Sequence, residues 1–159
     1  MYELLSILVA IAVTVLLGLG VGKIIDTAVP KPAPPDGLDS ALWAAMDWRV
    51  HTGGWIGCIE RLLVLMAFWL QQYAIVGGWL AFKVAAKWEV WKNIIRVPDA
   101  MDDVHPRVWY QARVSYGSWL HSRFVLGTLL NVLIGAVGAY VGNHLWNLVS
   151  WLCSWRGGA

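Results

Sequence analysis

Two long apolar stretches lie near the ends of the chain, at residues 4–21 and 124–141, and neither contains a charged side chain. Lipid offers no hydrogen-bond partner to backbone N–H and C=O groups, so a stretch of about 20 apolar residues predicts a helix that crosses a membrane. We therefore expect a first transmembrane helix in residues 1–23 and a last one in residues 123–149.

Two shorter apolar stretches lie between them, at residues 55–70 and 74–86, and a polar turn at residues 71–73 separates the two. This pattern predicts a transmembrane hairpin over residues 53–92. Two alternatives stay open: residues 55–91 form a re-entrant hairpin that does not cross the membrane fully, or they form one broken pass. The preferred fold class is all-α, an integral membrane helical bundle of four transmembrane segments with short cytoplasmic interfacial helices.

The first connecting segment, residues 24–52, begins with a Pro-rich linker. Each proline fixes φ and removes a backbone donor, so the linker is stiff and ends the preceding helix. Asp39 and Ser40 follow the linker, and either is suited to cap a short interfacial helix that ends near Arg49. The alternative for this part is an irregular connector, because so short a helix is marginal without packing.

The second connecting segment, residues 93–122, is expected to contain a cytoplasmic loop and an amphipathic helix. One face of that helix is aromatic and basic, since its members recur every three or four positions. Such a face suits anionic lipid headgroups or a partner helix better than nucleic acid, which we exclude as a partner. The aromatic and basic face consists of Trp109, Arg113, Tyr116 and Leu120.

Residues 150–159 are expected to form a C-terminal tail.

Positive charge is distributed on one side of this topology. In a four-pass arrangement, every one of the 12 Lys and Arg residues except Arg156 lies in the two connecting segments or in the adjacent halves of the spans. Cationic residues are retained in cytoplasmic loops. The pattern predicts that both termini lie outside and that the main loops are cytoplasmic.

Composition supports a membrane environment, because 58% of the residues are hydrophobic and 14% are charged. The chain has 12 tryptophans, many of them at the ends of apolar runs. Indole rings favour the membrane interface, where the ring is half buried and its N–H reaches water. The predicted interfacial anchors are Trp55, Trp88, Trp91, Trp109, Arg113, Trp119, Trp146 and Trp151.

Charged residues inside the hairpin form a predicted intramembrane cluster. Glu60 and Lys83 lie at nearly equal distances from the turn, so at about 1.5 Å per residue they share a depth to within about 2 Å and should meet. Arg61 and Lys87 are expected to extend their charged groups to the cytoplasmic interface. A neutralising ion pair that fixes the hairpin register is the preferred interpretation, and an ion or proton path is the alternative.

Glycines at four-residue spacing occur in both long spans, as Gly18 with Gly22 and Gly138 with Gly142. This spacing lets two helices approach closely. The first pair is predicted near the cytoplasmic face and the second near the outer face, so the pairs do not pack on each other. They serve either packing inside the chain or self-association.

The sequence predicts no metal site and no cofactor. Its four histidines and two cysteines lack the spacing of a zinc site, and we find no Gly-rich phosphate loop or nucleophile elbow. We therefore expect that the protein is not an enzyme. The expected partners are membrane lipids and either further copies of the chain or other membrane subunits.

Three parts of the sequence together carry a family resemblance: residues 57–63 (Gly-Cys-Ile-Glu-Arg-Leu-Leu), Lys83, and residues 124–131. Over roughly residues 54–140 they resemble the membrane module of uncharacterised bacterial and phage-associated proteins of the DUF3307 type. The resemblance implies a prokaryotic or phage inner-membrane protein. It also implies that the Glu60-Arg61 pair and Lys83 form a motif, and it implies no activity.

The functional hypothesis is therefore a structural or interaction subunit of a membrane assembly. The first alternative is a small oligomeric channel, phage or defence related, built around the glycine-bearing helices. The second is an intramembrane enzyme, which would need polar residues that converge on a pocket. For that enzyme the candidates are Glu60, Arg61, His121 and Asn131.

Overall fold

The computed structural model describes residues 2–38, 40, 43, 53–94 and 105–156. In this part of the chain the regular structure is helical, without β-strands, so the all-α prediction is confirmed for it. The helices are α1 (Tyr2–Gly18), α2 (Val21–Ala28), α3 (Gly53–Trp69), α4 (Tyr73–Ile94) and α5 (Pro106–Arg156).

Two helical stretches, Glu3–Ala28 and Pro106–Leu148, are long and apolar enough to cross a membrane by length and composition. Among the described residues no third helix is both long and apolar enough, whereas the sequence predicts four spanning segments. α3 has 17 residues and is shorter than either of the two stretches. The second half of α4 carries Lys83 and Lys87, which lower its apolar character.

The first helix differs from its prediction at both its middle and its end. A turn at Leu19 and Gly20 separates α1 from α2, in a segment where glycine makes a helix break inexpensive. α2 then continues past residue 23 to Ala28 and ends where Val29 donates its N–H to the carbonyl of Ile25 at 2.9 Å. Pro30 follows and has no N–H to continue the helix.

The last helix is continuous where the sequence analysis places two boundaries. α5 has 51 residues, which corresponds to about 76 Å at 1.5 Å per residue. The predicted amphipathic helix, last span and most of the tail are one helix. Pro106 stands at its first position, where a missing N–H costs nothing, and no later proline interrupts it.

The hairpin turn is closed by backbone hydrogen bonds at the end of α3. Gln71 adopts a left-handed conformation with φ of 56°. Gln72 donates its N–H to the carbonyl of Ala67 at 2.8 Å, and Gln71 donates to Phe68 at 3.2 Å. This Schellman arrangement satisfies the last carbonyls of α3 and reverses the chain within the turn predicted at residues 71–73.

The helices pack around α3, which contacts α1, α4 and α5. Its residues Val64, Leu65 and Ala67 are at most 2% exposed. α1 and α5 run antiparallel. We name the two ends of this bundle by their connections: the turn end holds the α3–α4 turn, and the linker end holds α2 and the start of α3.

A second core covers the beginning of α5. Leu38 and Trp43, from the linker region, pack on Trp109, Ala112 and Tyr116, and all five are buried. The rings of Trp43 and Tyr116 meet edge to face with their centroids 5.8 Å apart. The aromatic and basic face predicted to contact lipid headgroups is therefore largely covered by the chain's own linker.

The linker reaches this face through a tight turn after its prolines. Gly37 has a φ of 84°, and Leu38 donates its N–H to the carbonyl of Pro35 at 3.1 Å. Glycine adopts this conformation without the steric cost that a side chain brings. Apart from Ser40 and Trp43, the predicted interfacial helix lies outside the described residues.

Candidate functional site

Polar side chains from three helices meet in the interior at the linker end. Glu60 of α3 and Lys83 of α4 form an ion pair in which Oε1 and Nζ are 2.5 Å apart, and their side chains are 4% and 15% exposed. Lys83 also donates to the hydroxyl of Thr128 on α5 at 2.6 Å. The contact expected from the hairpin register is therefore present.

Asn131 of α5 joins this ion pair to Arg61. Its Nδ2 donates to Oε2 of Glu60 at 2.7 Å, and its Oδ1 accepts a hydrogen bond from Nη1 of Arg61 at 2.9 Å. Both carboxylate oxygens of Glu60 are thus engaged, which offsets much of the cost of burying the charge. We term these five residues, Glu60, Arg61, Lys83, Thr128 and Asn131, the polar network.

Arg61 is 8% exposed and does not extend to an interface. A Cβ added at Gly18 would collide with its guanidinium, so the missing side chain of Gly18 provides the space that the guanidinium occupies. The prediction that Arg61 reaches the membrane surface is wrong, because this arginine lies on the face of α3 that packs against its neighbours. Among the described residues no carboxylate pairs with Arg61, and its Nε lacks a hydrogen-bond partner.

A cavity of about 430 Å³ lies beside the polar network at the linker end. Its walls come from the end of α1, α2, the first half of α3, the second half of α4 and the middle of α5. Lys87, which the sequence analysis expects at an interface, lines the cavity as an exposed residue, with Nζ 6.0 Å from the ring centroid of Phe124. The charged lining residues are Glu60, Arg61, Lys83, Lys87 and Arg123.

Arg123 fastens the end of α2 to α5 at the edge of this cavity. Its Nη2 lies 2.5 Å from Oδ1 of Asp26, and its Nη1 donates to the carbonyl of Val29 at 3.4 Å. The indole N–H of Trp119 donates to the same carbonyl at 3.1 Å. The carbonyl of Val29, the residue that directly follows α2, thus has two donors on α5 before the chain enters the linker.

Three of the four glycines predicted to mediate helix packing are used inside the chain. A Cβ at Gly138 would meet Thr14 and, at 3.1 Å, the carbonyl of Ala10. One at Gly142 would meet Ala10 at 2.8 Å, and Gly18 faces Arg61 as described above. Gly22 is different, because a Cβ added there would lie more than 4 Å from every atom of the described residues.

The predicted interfacial anchors occupy different environments. Trp55 and Trp151 are 76% and 63% exposed, whereas Trp146 is half buried. Trp109 is 6% exposed, so its prediction as an interfacial anchor is wrong. The guanidinium carbon of Arg113 lies 5.5 Å from the ring centroid of Trp109. Trp88 and Trp91 belong to α4, but their side chains lie outside the described part of the chain.

Two sets of packing residues were not predicted from the sequence. Thr128 belongs to the segment that carries the family resemblance, but its role was not predicted, although a hydroxyl one turn before an asparagine in an apolar helix marks a polar face. On α1, Ser6, Ala10 and Thr14 are at most 5% exposed and pack toward α5. Their four-residue spacing continues to Gly18, and a search for small residues instead of glycine alone would have found it.

No family model matches the chain, and no curated protein or solved structure matches it. The resemblance to DUF3307-type proteins therefore stays a prediction. The candidate site is defined by its geometry: a buried polar network that links α3, α4 and α5, beside a cavity with a cationic lining.

Proposed function

We propose that this chain is a polytopic helical protein of the bacterial inner membrane and a structural or interaction subunit of a membrane assembly. The distribution of side chains is the observation that carries the proposal. Ser6, Thr14, Glu60, Arg61 and Asn131 are buried, while large apolar side chains on several helices are exposed. A water-soluble domain has the opposite distribution, and lipid is the solvent that accommodates this one.

The exposed apolar side chains surround the bundle. They lie on α1, α3, α4 and α5, so the apolar surface is not a single patch of the kind that docks one partner. Prominent members are Leu4, Leu8, Leu16, Ile59, Met66, Ile75, Phe82, Val84, Leu129 and Leu133.

The α3–α4 hairpin is proposed to lie at membrane depth with α1 and α5. α3 packs against both long apolar helices, so it cannot stay in water while they cross the bilayer. At about 1.5 Å per residue, its 17 residues and the 22 residues of α4 span about 25 and 33 Å, close to the roughly 30 Å hydrocarbon core. The cationic linker end is then cytoplasmic.

The polar network supports a structural role for the buried charges. Glu60 is 3% exposed, and its two oxygens are held by residues of two other helices. A carboxylate fixed in this way joins three helices and sets their register. Within the membrane, such internal bonds are retained because the alternative is an unsatisfied polar group in hydrocarbon.

Cysteine labelling in intact spheroplasts tests the membrane topology. In a background with Cys58→Ser and Cys153→Ser, a membrane-impermeant maleimide should label Gln72→Cys at the turn and leave Asp36→Cys in the linker unlabelled. Lysis should make both accessible. Reversed labelling would contradict the topology, and recovery of the protein in the soluble fraction would contradict the membrane assignment.

Affinity purification in a mild detergent tests the role as a subunit. We expect a stable oligomer or a membrane complex, seen by size-exclusion chromatography with light scattering and identified by mass spectrometry. If the protein, expressed at its native level, purifies as a monomer without copurifying partner proteins, this role is contradicted.

The channel alternative receives less support from the packing. Gly18, Gly138 and Gly142, around which several copies were expected to assemble, contact residues of the same chain. Flux through proteoliposomes remains its direct test. Conduction that disappears in the Glu60→Gln and Lys83→Met variants would favour a channel over a subunit without transport activity.

A further inference from the structure

Among the residues that the structure describes, no carboxylate pairs with the buried charge of Arg61. Its guanidinium is held by the neutral amide of Asn131, and Nε has no hydrogen-bond partner in the described part of the chain. The nearest carboxylate in sequence, Glu60, is already engaged by Lys83 and Asn131. A buried cation without a counterion is costly, so an anion that enters the adjacent cavity would be bound favourably.

The charges around the cavity leave a positive excess after their internal pairs are formed. Lys83 pairs with Glu60, and Arg123 pairs with Asp26. Two cationic lining residues, Arg61 and Lys87, then have no ion-pair partner among the described residues. An anion with one or two negative charges would balance them.

The start of α3 adds backbone donors to the same wall. The helix begins at Gly53, and Gly54 and Gly57 line the cavity. An added Cβ at Gly54 would meet no atom of the described residues within 4 Å, so these residues leave the space beside the first turn open. The first N–H groups of a helix have no partner inside it, and the helix dipole favours an anion there.

We infer that this cavity binds a phosphate-bearing anion and that, in the membrane, the anion is the headgroup of an anionic phospholipid of the cytoplasmic leaflet. Arg61, Lys87 and the start of α3 contact the phosphate. Ile25, Ile56 and Phe124 line the remaining wall and suit the adjoining acyl chain. The inference that the ligand is a lipid rests on the proposed membrane location. The inference that the cavity binds phosphate does not.

Thermal unfolding of the full chain in a mild detergent, followed by tryptophan fluorescence, tests the inference. Dioleoyl phosphatidylglycerol should raise the midpoint in a saturable way, and dioleoyl phosphatidylcholine at the same concentration should not. A second arm uses sn-glycerol 3-phosphate. If only the lipid raises the midpoint, the ligand is a phospholipid headgroup. If sn-glycerol 3-phosphate raises it equally, the site binds phosphate, but the ligand is a soluble phosphate ester and not a lipid.

Two matched pairs of variants locate the effect. Lys87→Gln removes an exposed cavity cation, and we expect about fivefold weaker phosphatidylglycerol binding, since one basic residue contributes about 1 kcal/mol near an anionic lipid surface. Lys23→Gln removes an exposed lysine of α2 that does not line the cavity and should leave binding unchanged.

The second pair fills space instead of removing charge. Gly22→Leu occupies the open space at the cavity wall and should abolish the shift, while Gly77→Leu, on an equally open stretch of α4 away from the cavity, should not. Equal losses in Lys87→Gln and Lys23→Gln, or retention of the shift in Gly22→Leu, would overturn the site. If the protein is recovered in the soluble fraction and still binds glycerol 3-phosphate through Lys87, the membrane proposal is contradicted and the phosphate site is supported.

Discussion

The two ends of the bundle use glycine and small residues for different purposes. At the turn end, Gly138 and Gly142 leave room for small residues of α1, namely Thr14, Ala10 and Ser6, and Gly142 also for the ring of Trp69. At the linker end, Gly18 leaves room for the guanidinium of Arg61, and open space remains beside Gly22. The same residue type brings helices together at one end and accommodates charge and a cavity at the other.

The cavities at the two ends differ in the same way. A cavity of about 420 Å³ at the turn end is lined by seven residues, none of them charged. The linker-end cavity has a similar volume and a cationic lining. The two cavities therefore differ in the charge of their lining and not in their size.

The largest effect is expected from Lys83→Met at the linker end. The change leaves the buried carboxylate of Glu60 without its cation and should lower the free energy of unfolding by about 3 to 5 kcal/mol. Titration with SDS in mixed micelles measures it. The double variant Glu60→Gln/Lys83→Met should lose clearly less than the two single losses added together, and strict additivity would contradict the ion pair.

At the turn end, Gly138→Leu should separate α1 from α5. Its added atoms would meet Thr14 and the carbonyl of Ala10, and overpacking of this kind costs about 3 kcal/mol. The same micelle titration measures the loss, and a cysteine pair across α1 and α5 should then crosslink less. Gly77→Leu is the control, because it meets no atom within 4 Å. Similar losses in both variants would show that the small-residue contact is not decisive.

Asn131→Leu tests the link between the two halves of the polar network. It removes one partner each from Glu60 and Arg61, and a buried polar group without its partner costs about 2 kcal/mol. Differential scanning fluorimetry should show a lower midpoint. Asn143→Leu, at an exposed position of the same helix, should change it little. If both variants behave alike, the amide does not connect the network.

The smallest effect is expected from Arg123→Gln at the edge of the linker end. Its side chain and that of Asp26 are 28% and 65% exposed, and exposed ion pairs contribute less than about 1 kcal/mol. Asp26→Asn should cause an equally small loss in the micelle titration, and added salt should reduce both. A loss as large as that of Lys83→Met would mean that this pair is more strongly desolvated than its exposure indicates.

Contacts that depend only on distance along the chain from a turn could be predicted from the sequence. Glu60 and Lys83 are found together because a turn fixes the register of the two helices that it joins, and equal spacing from the turn gives equal depth. The all-α fold follows for a similar reason, since long apolar stretches leave the backbone few alternatives to a helix.

The parts that depend on rotation of one helix against another could not be predicted. Whether Arg61 faces the surface or the interior depends on which face of α3 packs inward, and four-residue spacing alone does not determine that face. Trp109 illustrates the same limit. An indole at the end of an apolar run is equally suited to a membrane interface and to a protein core. The linker residues that cover Trp109 lie far from it in sequence.

The continuity of α5 has a mechanical consequence. Trp109 and Asn131 stand on one uninterrupted helix, about 33 Å apart along its axis at 1.5 Å per residue. Trp109 packs against Trp43 of the linker region, and Asn131 and Thr128 hold the buried charges. The linker contact and the polar network therefore share one helix without an intervening hinge.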